Sequence, residues 1–118
     1  MPLANRSTGK VLMEKVRIAN DHWKRMQGLM FEKFENFNYA LVFELERETV
    51  AGAAIHMLFV FFPIDVVYLD REKRVVDIAL NLKPFSLGYS PKKAANYFIE
   101  LPAGKGKEVK IGEQLDWA

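Results

Sequence analysis

The sequence predicts a mainly β fold of the α+β class. We expect a compact single domain over residues 1–118, with a mostly antiparallel sheet that curls on itself or forms a barrel-like core, and one or two short helices. Three observations predict it. Apolar, β-branched and aromatic runs recur along the chain and are separated by polar or Gly- and Pro-bearing turns. Most of those turns are too short to hold a crossover helix, so neighbouring strands should run antiparallel. Several runs, "FVFF" and "DVVYLD" among them, are apolar on both faces, which suits a curled or covered sheet.

The elements follow in order. Residues 1–10 read as a flexible or edge segment. Residues 11–19, "VLMEKVRIA", mix charged positions with β-branched Val and Ile and read as a strand. Asn20 or Asp21 can cap a helix, because a short side-chain oxygen accepts from the free amides of the first turn. Trp23, Met26 and Met30 then give that helix an apolar face, and Gly28 can end it. "FEKFENFN", residues 31–38, has no period and reads as an irregular loop anchored by its rings. "YALVFELE", residues 39–46, is a strand, and "RETVAGA" a turn. The stretch "AIHMLFVFF" starts a new strand, Pro63 breaks it, and "DVVYLD" resumes it. "REK" is a tight turn, and "RVVDIALNL", residues 74–82, the returning arm. "KPFSLGYSPKKA" is a long loop. "NYFIELP" is a strand with Tyr97 and Ile99 on one face and Phe98 and Glu100 on the other. A helical turn and a last strand close the chain.

Composition excludes much chemistry. With no cysteine, disulfides, thiol catalysis, iron–sulfur clusters and thiolate zinc sites all fall away. Two histidines, His22 and His56, are too few for a His-rich metal site, so no metal and no cofactor is expected. The net charge of +2 comes from 17 basic and 15 acidic residues that are interspersed, without the basic stripe of a nucleic-acid binder. Lys92–Lys93 and the Lys105, Lys107, Lys110 group read as solvated surface. The most apolar window, "AGAAIHMLFVFFPIDVVYL", approaches the roughly 20 residues that span a bilayer. Pro63 and Asp65 argue against spanning. No secretory h-region stands at the start, so the expected location is cytoplasmic.

Four pieces carry a family resemblance: "RMQGLMF" at 25–31, "ALVFE" at 40–44, "HMLFVFFPIDVVYLD" at 56–70 and "YFIELPAG" at 97–104. In this order and spacing the chain resembles the domain of unknown function 192 family. The resemblance implies a compact, mainly β domain with a barrel-like core, and no activity. Many members look secreted or membrane-anchored, and this chain lacks the segment for that. Many bacterial members place an aromatic residue, Met and Lys-Asn-Thr before the Pro-x-Asp element. Here His56 replaces the aromatic residue, Met57 is kept, and Leu58, Phe59 and Val60 replace the polar trio, while Pro63 and Asp65 are retained.

The candidate residues each have a plain structural role beside a functional one. Asp65 can hold a turn by accepting backbone amides, or act as an acid or base if burial raises its pKa. His56 reads as a core histidine, or as a partner of Asp65. Glu100 needs a partner if buried, and Arg25 is the natural one. Arg25, Tyr89, Lys93 and Tyr97 are candidate ligand contacts: a guanidinium that grips anions, rings that line a groove, and a lysine in the longest loop. No nucleophile motif, phosphate loop or metal cluster appears. The sequence therefore favours a small non-catalytic binding or accessory module, taking a small ligand or partner protein at the 83–94 loop or the barrel mouth. The alternative is a carboxylate-dependent hydrolase or transferase using Asp65, with His56 or Glu100. An open sheet edge would allow a homodimer.

Overall fold

The computed structural model describes residues 2–19, 29, 32–49, 57, 60–86 and 89–117. Eight strands lie within them: β1 (Leu3–Asn5), β2 (Lys10–Met13), β3 (Val16–Ala19), β4 (Ala40–Thr49), β5 (Ile64–Leu69), β6 (Val75–Leu82), β7 (Ala95–Pro102) and β8 (Leu115–Asp116). They form two sheets instead of a closed barrel, one of order β2-β1-β8 and one of order β3-β4-β7-β5-β6. All pairings are antiparallel except β3 with β4, which run parallel. That exception has a sequence reason, since residues 20–39 give the long connection a parallel pair needs. The fold is mainly β, with two short 3-10 turns among the described residues, at Phe34–Asn36 and Lys105–Glu108.

Several boundaries differ from expectation. Within the first ten residues β1 is the middle strand of the smaller sheet, with Leu3 and Asn5 fully buried, while residues 6–9 form an exposed turn and Lys10 opens the edge strand β2. A turn fixes this hairpin. Asn5 Oδ1 accepts the Ser7 and Thr8 amides, and Gly9 takes a φ of 78° that favours glycine. Residues 11–19 are two strands in two sheets, split at exposed Glu14 and Lys15. β4 runs on to Thr49, into the stretch expected to turn. The apolar run before Pro63 is not a strand at Met57 or Val60–Phe62. There the Val60 amide donates to the Met57 carbonyl (3.1 Å), closing a turn that buries Met57, Val60 and Phe62. The helix expected over Asp21–Gly28 lies outside the described residues.

Other expectations hold. "REK" is the β5–β6 turn, where Asp70 Oδ1 accepts the Glu72 and Arg74 amides. Every residue of β5 is buried, as a strand apolar on both faces should be. β7 alternates as read: Ile99 and Tyr97 pack into one core and Phe98 into the other.

β7 is central in the larger sheet, so its two faces organise the two cores. One face carries Val42, Val67, Ile99 and Leu101 and is covered by the smaller sheet through Leu3, Leu12, Leu115 and Trp117. The other face carries Leu41, Phe43, Val66, Tyr68 and Phe98. Among the described residues its cover is contributed by Leu29, Phe37, Tyr39, Met57, Val60 and Phe62, none of them in a strand. The Met57 amide donates to the Ser86 carbonyl (3.1 Å), and the Phe85 amide to the Met57 carbonyl (2.9 Å), which ties this cover to the 83–94 loop. Phe61 and Phe85 meet edge to face at 5.1 Å on its outside.

The turn after β7 is packed without slack. A Cβ at Gly106 would come within 2.8 Å of Leu80 Cδ2 and 3.0 Å of both Asp65 Cβ and Oδ2. Leu80 is half exposed and can swing away, but Asp65 is fixed. Gly106→Ala is therefore expected to cost about 1–3 kcal/mol through overpacking, read as a lower urea midpoint with an unchanged slope.

Candidate functional site

Asp65 sits at the start of β5, held by Pro63 two residues earlier, and is 1% exposed. Its Oδ1 accepts the Asn81 amide at 2.8 Å, and its Oδ2 accepts the Gly104 and Gly106 amides at 2.8 Å each. One carboxylate thus pins the end of β6 and the turn after β7 to β5. This is the geometry of a structural anchor, with both oxygens committed to backbone.

Glu100 presents the opposite case. It lies on β7 between Leu41 of β4 and Val66 of β5, on the sheet face beneath the irregular cover. It is 6% exposed, and its Oε1 has no hydrogen-bond partner among the described residues. Burial pushes its carboxyl up from the ordinary 4.5 to about 8. Tyr68 is one step diagonal to it, since Val66 pairs with Glu100 and Tyr68 with Phe98. Tyr68 is fully buried, and its hydroxyl also lacks a partner among the described residues. Buried polar atoms are nearly always bonded, so two orphans on neighbouring strands call for an explanation. Asn96 Oδ1, farther along β7, is a third.

Partnered acids and phenols flank this pair. Tyr89 stacks on Tyr68 at 5.8 Å, and its hydroxyl donates to Asp77 Oδ2 at 2.8 Å. Buried Asp77 accepts the Lys92 amide on the same oxygen at 3.0 Å. Tyr39 donates to Glu32 Oε2 at 2.6 Å, and the Arg17 guanidinium lies 4.1 Å over its ring. Burial raises all three phenols: Tyr89 to about 12, helped by Asp77, and Tyr39 and Tyr68 further, with the Glu100 charge adding to both. The phenols therefore stay neutral and act as hydrogen-bonding groups. Tyr39, Tyr68 and Glu100 belong to the same sheet face and the same side of the protein.

The predicted site residues do not all converge. Tyr89 stands next to the Glu100–Tyr68 centre. Tyr97 is on the opposite face, edge to face with Trp117 at 5.1 Å. Lys93 is exposed and borders an open cleft of about 400 Å3 with Asp70, Arg71, Glu72, Val76 and Ala94. Asp65 and Glu100 belong to different environments. Arg25 and His56 lie outside the described residues. Sequence reasoning missed Tyr68, Tyr39 and Asp77. Asp77 carries a usable signal, as a charged residue in phase with buried Val75 and Ala79 on β6. Tyr68 carries none, because its meaning depends on the distant β5–β7 pairing. Among the described residues no group of three or more His, Asp or Glu is placed to hold a metal ion.

Comparison with known proteins gives family and fold. The DUF192 family model, described as "Uncharacterized ACR", matches residues 3–117. A UPF0127 protein of Thermococcus kodakarensis is 45% identical, over 98% of this chain and 72% of its own length. A UPF0127 protein of Pyrococcus furiosus is 39% identical, over 98% of this chain and 97% of its own. A protein of unknown function from Novosphingobium aromaticivorans has a similar crystal structure, with a TM-score of 0.84 at 20% identity, covering 99% of this chain and 84% of that one.

Proposed function

Because the chain belongs to the domain of unknown function 192 family, whose description names no activity, we propose a function from its own geometry: a non-catalytic module that binds a small ligand at Glu100 and Tyr68. The observation that carries it is the pair of buried, unpartnered polar groups on adjacent strands. Leaving such groups unbonded costs about 1–3 kcal/mol each, and a ligand supplying the missing partners recovers that free energy on binding. The cover above the pair suits access. Its described residues Leu29, Met57, Val60 and Phe62 lie outside any strand, and the 83–94 loop brings Tyr89 against Tyr68. Asp65 supports the same reading from the other side, since its oxygens are committed to three backbone amides.

A second reading draws on Glu100 alone. A carboxyl pushed up to about 8 can give and take a proton near neutral pH, as a general acid or base must. It would need a reacting group beside Glu100, and turnover that Glu100→Gln abolishes. A cytoplasmic location belongs to the proposal as well. It is supported by the fate of the chain's most apolar run, whose last six residues, Ile64–Leu69, form β5 inside the protein. Among the described residues no helix is long and apolar enough to cross a membrane.

The test is a thermal-shift screen of a small-molecule library against the parent and Tyr68→Phe. A compound bound only by the folded state raises the melting temperature. Tyr68→Phe removes an unbonded hydroxyl at constant ring volume, so it should match or exceed the parent's stability by up to about 1 kcal/mol. A true ligand shifts the parent and shifts Tyr68→Phe less. Compounds that shift the parent, Tyr68→Phe and Glu100→Gln equally would dispose of this site.

A further inference from the structure

We infer that the ligand seated at Glu100 carries a protonated amine, an organic cation whose N–H groups meet the Glu100 carboxylate and the Tyr68 hydroxyl; the inference rests on reading that centre as a binding site.

The charges point this way. The titratable groups that face Glu100 among the described residues are Tyr68 on β5 and Tyr39 ahead of β4. Behind them stand Asp77 and Tyr89 on one side, and Glu32 on the other. β4 presents Leu41 and Phe43, and β7 presents Phe98, all apolar. Arg17 is the one described cation in this set, and it already lies over Tyr39 and 4.0 Å from Glu32. Above the Glu100 pKa an anionic ligand would meet three carboxylates and, among the described contacts of these groups, no unpaired cation. A cation would meet a carboxylate that burial has left uncompensated.

The rings point the same way. Phe43 stacks on Phe98 at 4.3 Å, and Tyr68 lies against Phe98 at 6.1 Å and Tyr89 at 5.8 Å. Aromatic rings on the sheet face that carries Glu100 favour an organic ammonium, through attraction of a cation to the ring quadrupole. A metal ion would want a cluster of hard ligands, and the described residues offer none of three or more.

A pH signature follows. The free site holds a proton on Glu100 up to about pH 8. A cation binds the ionised carboxylate and displaces that proton. Its affinity therefore rises with pH, by up to about tenfold per unit, and levels off above the Glu100 pKa. A neutral ligand bonded to the protonated acid shows the opposite trend, weakening above that pKa.

The experiment titrates the full chain with n-butylammonium chloride, 1-butanol and sodium butyrate at matched ionic strength, following tyrosine ring signals by NMR. We expect saturable binding of butylammonium, about tenfold tighter per pH unit below the Glu100 pKa, and at least tenfold tighter than either isostere. Glu100→Gln should abolish it. Tyr68→Phe, which keeps the carboxylate, should weaken it and preserve the pH slope. Butanol binding as tightly as butylammonium, a flat pH profile, or no saturation by butylammonium each overturns the inference. A library compound that loses its hold in Tyr68→Phe yet shows no preference for positive charge would overturn this inference while leaving the binding centre itself standing.

Discussion

Raising the pH is expected to cost this protein several kcal/mol of stability through Glu100, and Glu100→Gln is expected to abolish that part of the loss. The Glu100 carboxyl titrates near 4.5 when exposed and near 8 when buried in the fold. Between those values the folded state keeps a proton that the unfolded chain has released. Unfolding then releases a proton, so stability falls with rising pH. The slope is about 1.4 kcal/mol per pH unit, and the loss is complete once pH passes the folded value. Below the unfolded value Glu100 is neutral in both states, and parent and variant should be of similar stability. Above the folded value the parent buries an uncompensated charge and Gln does not, so the variant should be the more stable by several kcal/mol. Urea denaturation of both proteins across this range checks it. Parallel pH profiles for the two would show that Glu100 is compensated in the fold. A bound amine would oppose the same loss, because it supplies the missing positive charge.

The elements that sequence reasoning placed well are those whose signals are local. The β5–β6 hairpin declares itself through Asp70, whose side chain caps its own turn, and through two apolar arms on either side. β7 alternates, so its faces are readable, and Glu100 is correctly set apart from Tyr97 and Ile99. The misreadings have one physical source, in that an apolar run does not say what it packs against. The run 57–62 has strand composition, yet Met57, Val60 and Phe62 pack as cover, with the Val60 amide bonded to the Met57 carbonyl, and Pro63 removes a ladder donor. Likewise "VLMEKVRIA" has one composition but serves two sheets. Its break at Glu14 and Lys15 depends on β1 and β4 claiming the two halves.

The candidate site was half legible for the same reason. Glu100 stands out as an acid in an apolar strand. Its neighbour Tyr68 looks like any aromatic of a buried strand, and only the pairing of β5 with β7 brings them together. Asp65 attracted notice as an acid after a proline, and both of its readings were open in the sequence. What separates them is whether amides from β6 and from the turn after β7 arrive at its two oxygens. Those contacts span 16, 39 and 41 residues.

Asp65→Asn and Asp65→Ala provide the second large effect. In the fold Asp65 accepts three backbone amides from two segments distant in sequence, at 2.8 Å each. The first donor, Asn81, holds a φ of 54°, and Gly104 holds one of 100°. The left-handed backbone at Asn81 is one that the surrounding bonds must maintain, while glycine adopts positive φ freely. Asn keeps one accepting oxygen but turns an N–H2 toward at least one amide, and it loses the charge that strengthens all three bonds. It should cost about 2–3 kcal/mol. Ala leaves the buried Gly106 amide and the part-buried Asn81 and Gly104 amides without that acceptor and should cost about 3–4 kcal/mol, enough to unfold a marginal domain. Urea midpoints measure both, and the denaturant slope should hold. Either variant within about 1 kcal/mol of the parent would rule out the anchor role. The same proteins separate anchoring from catalysis. At a temperature where Asp65→Asn remains folded, ligand affinity at the Glu100 centre should equal the parent's, because Asp65 contributes no atom to it. An affinity lost together with the Asp65 charge would instead make that carboxylate part of the site.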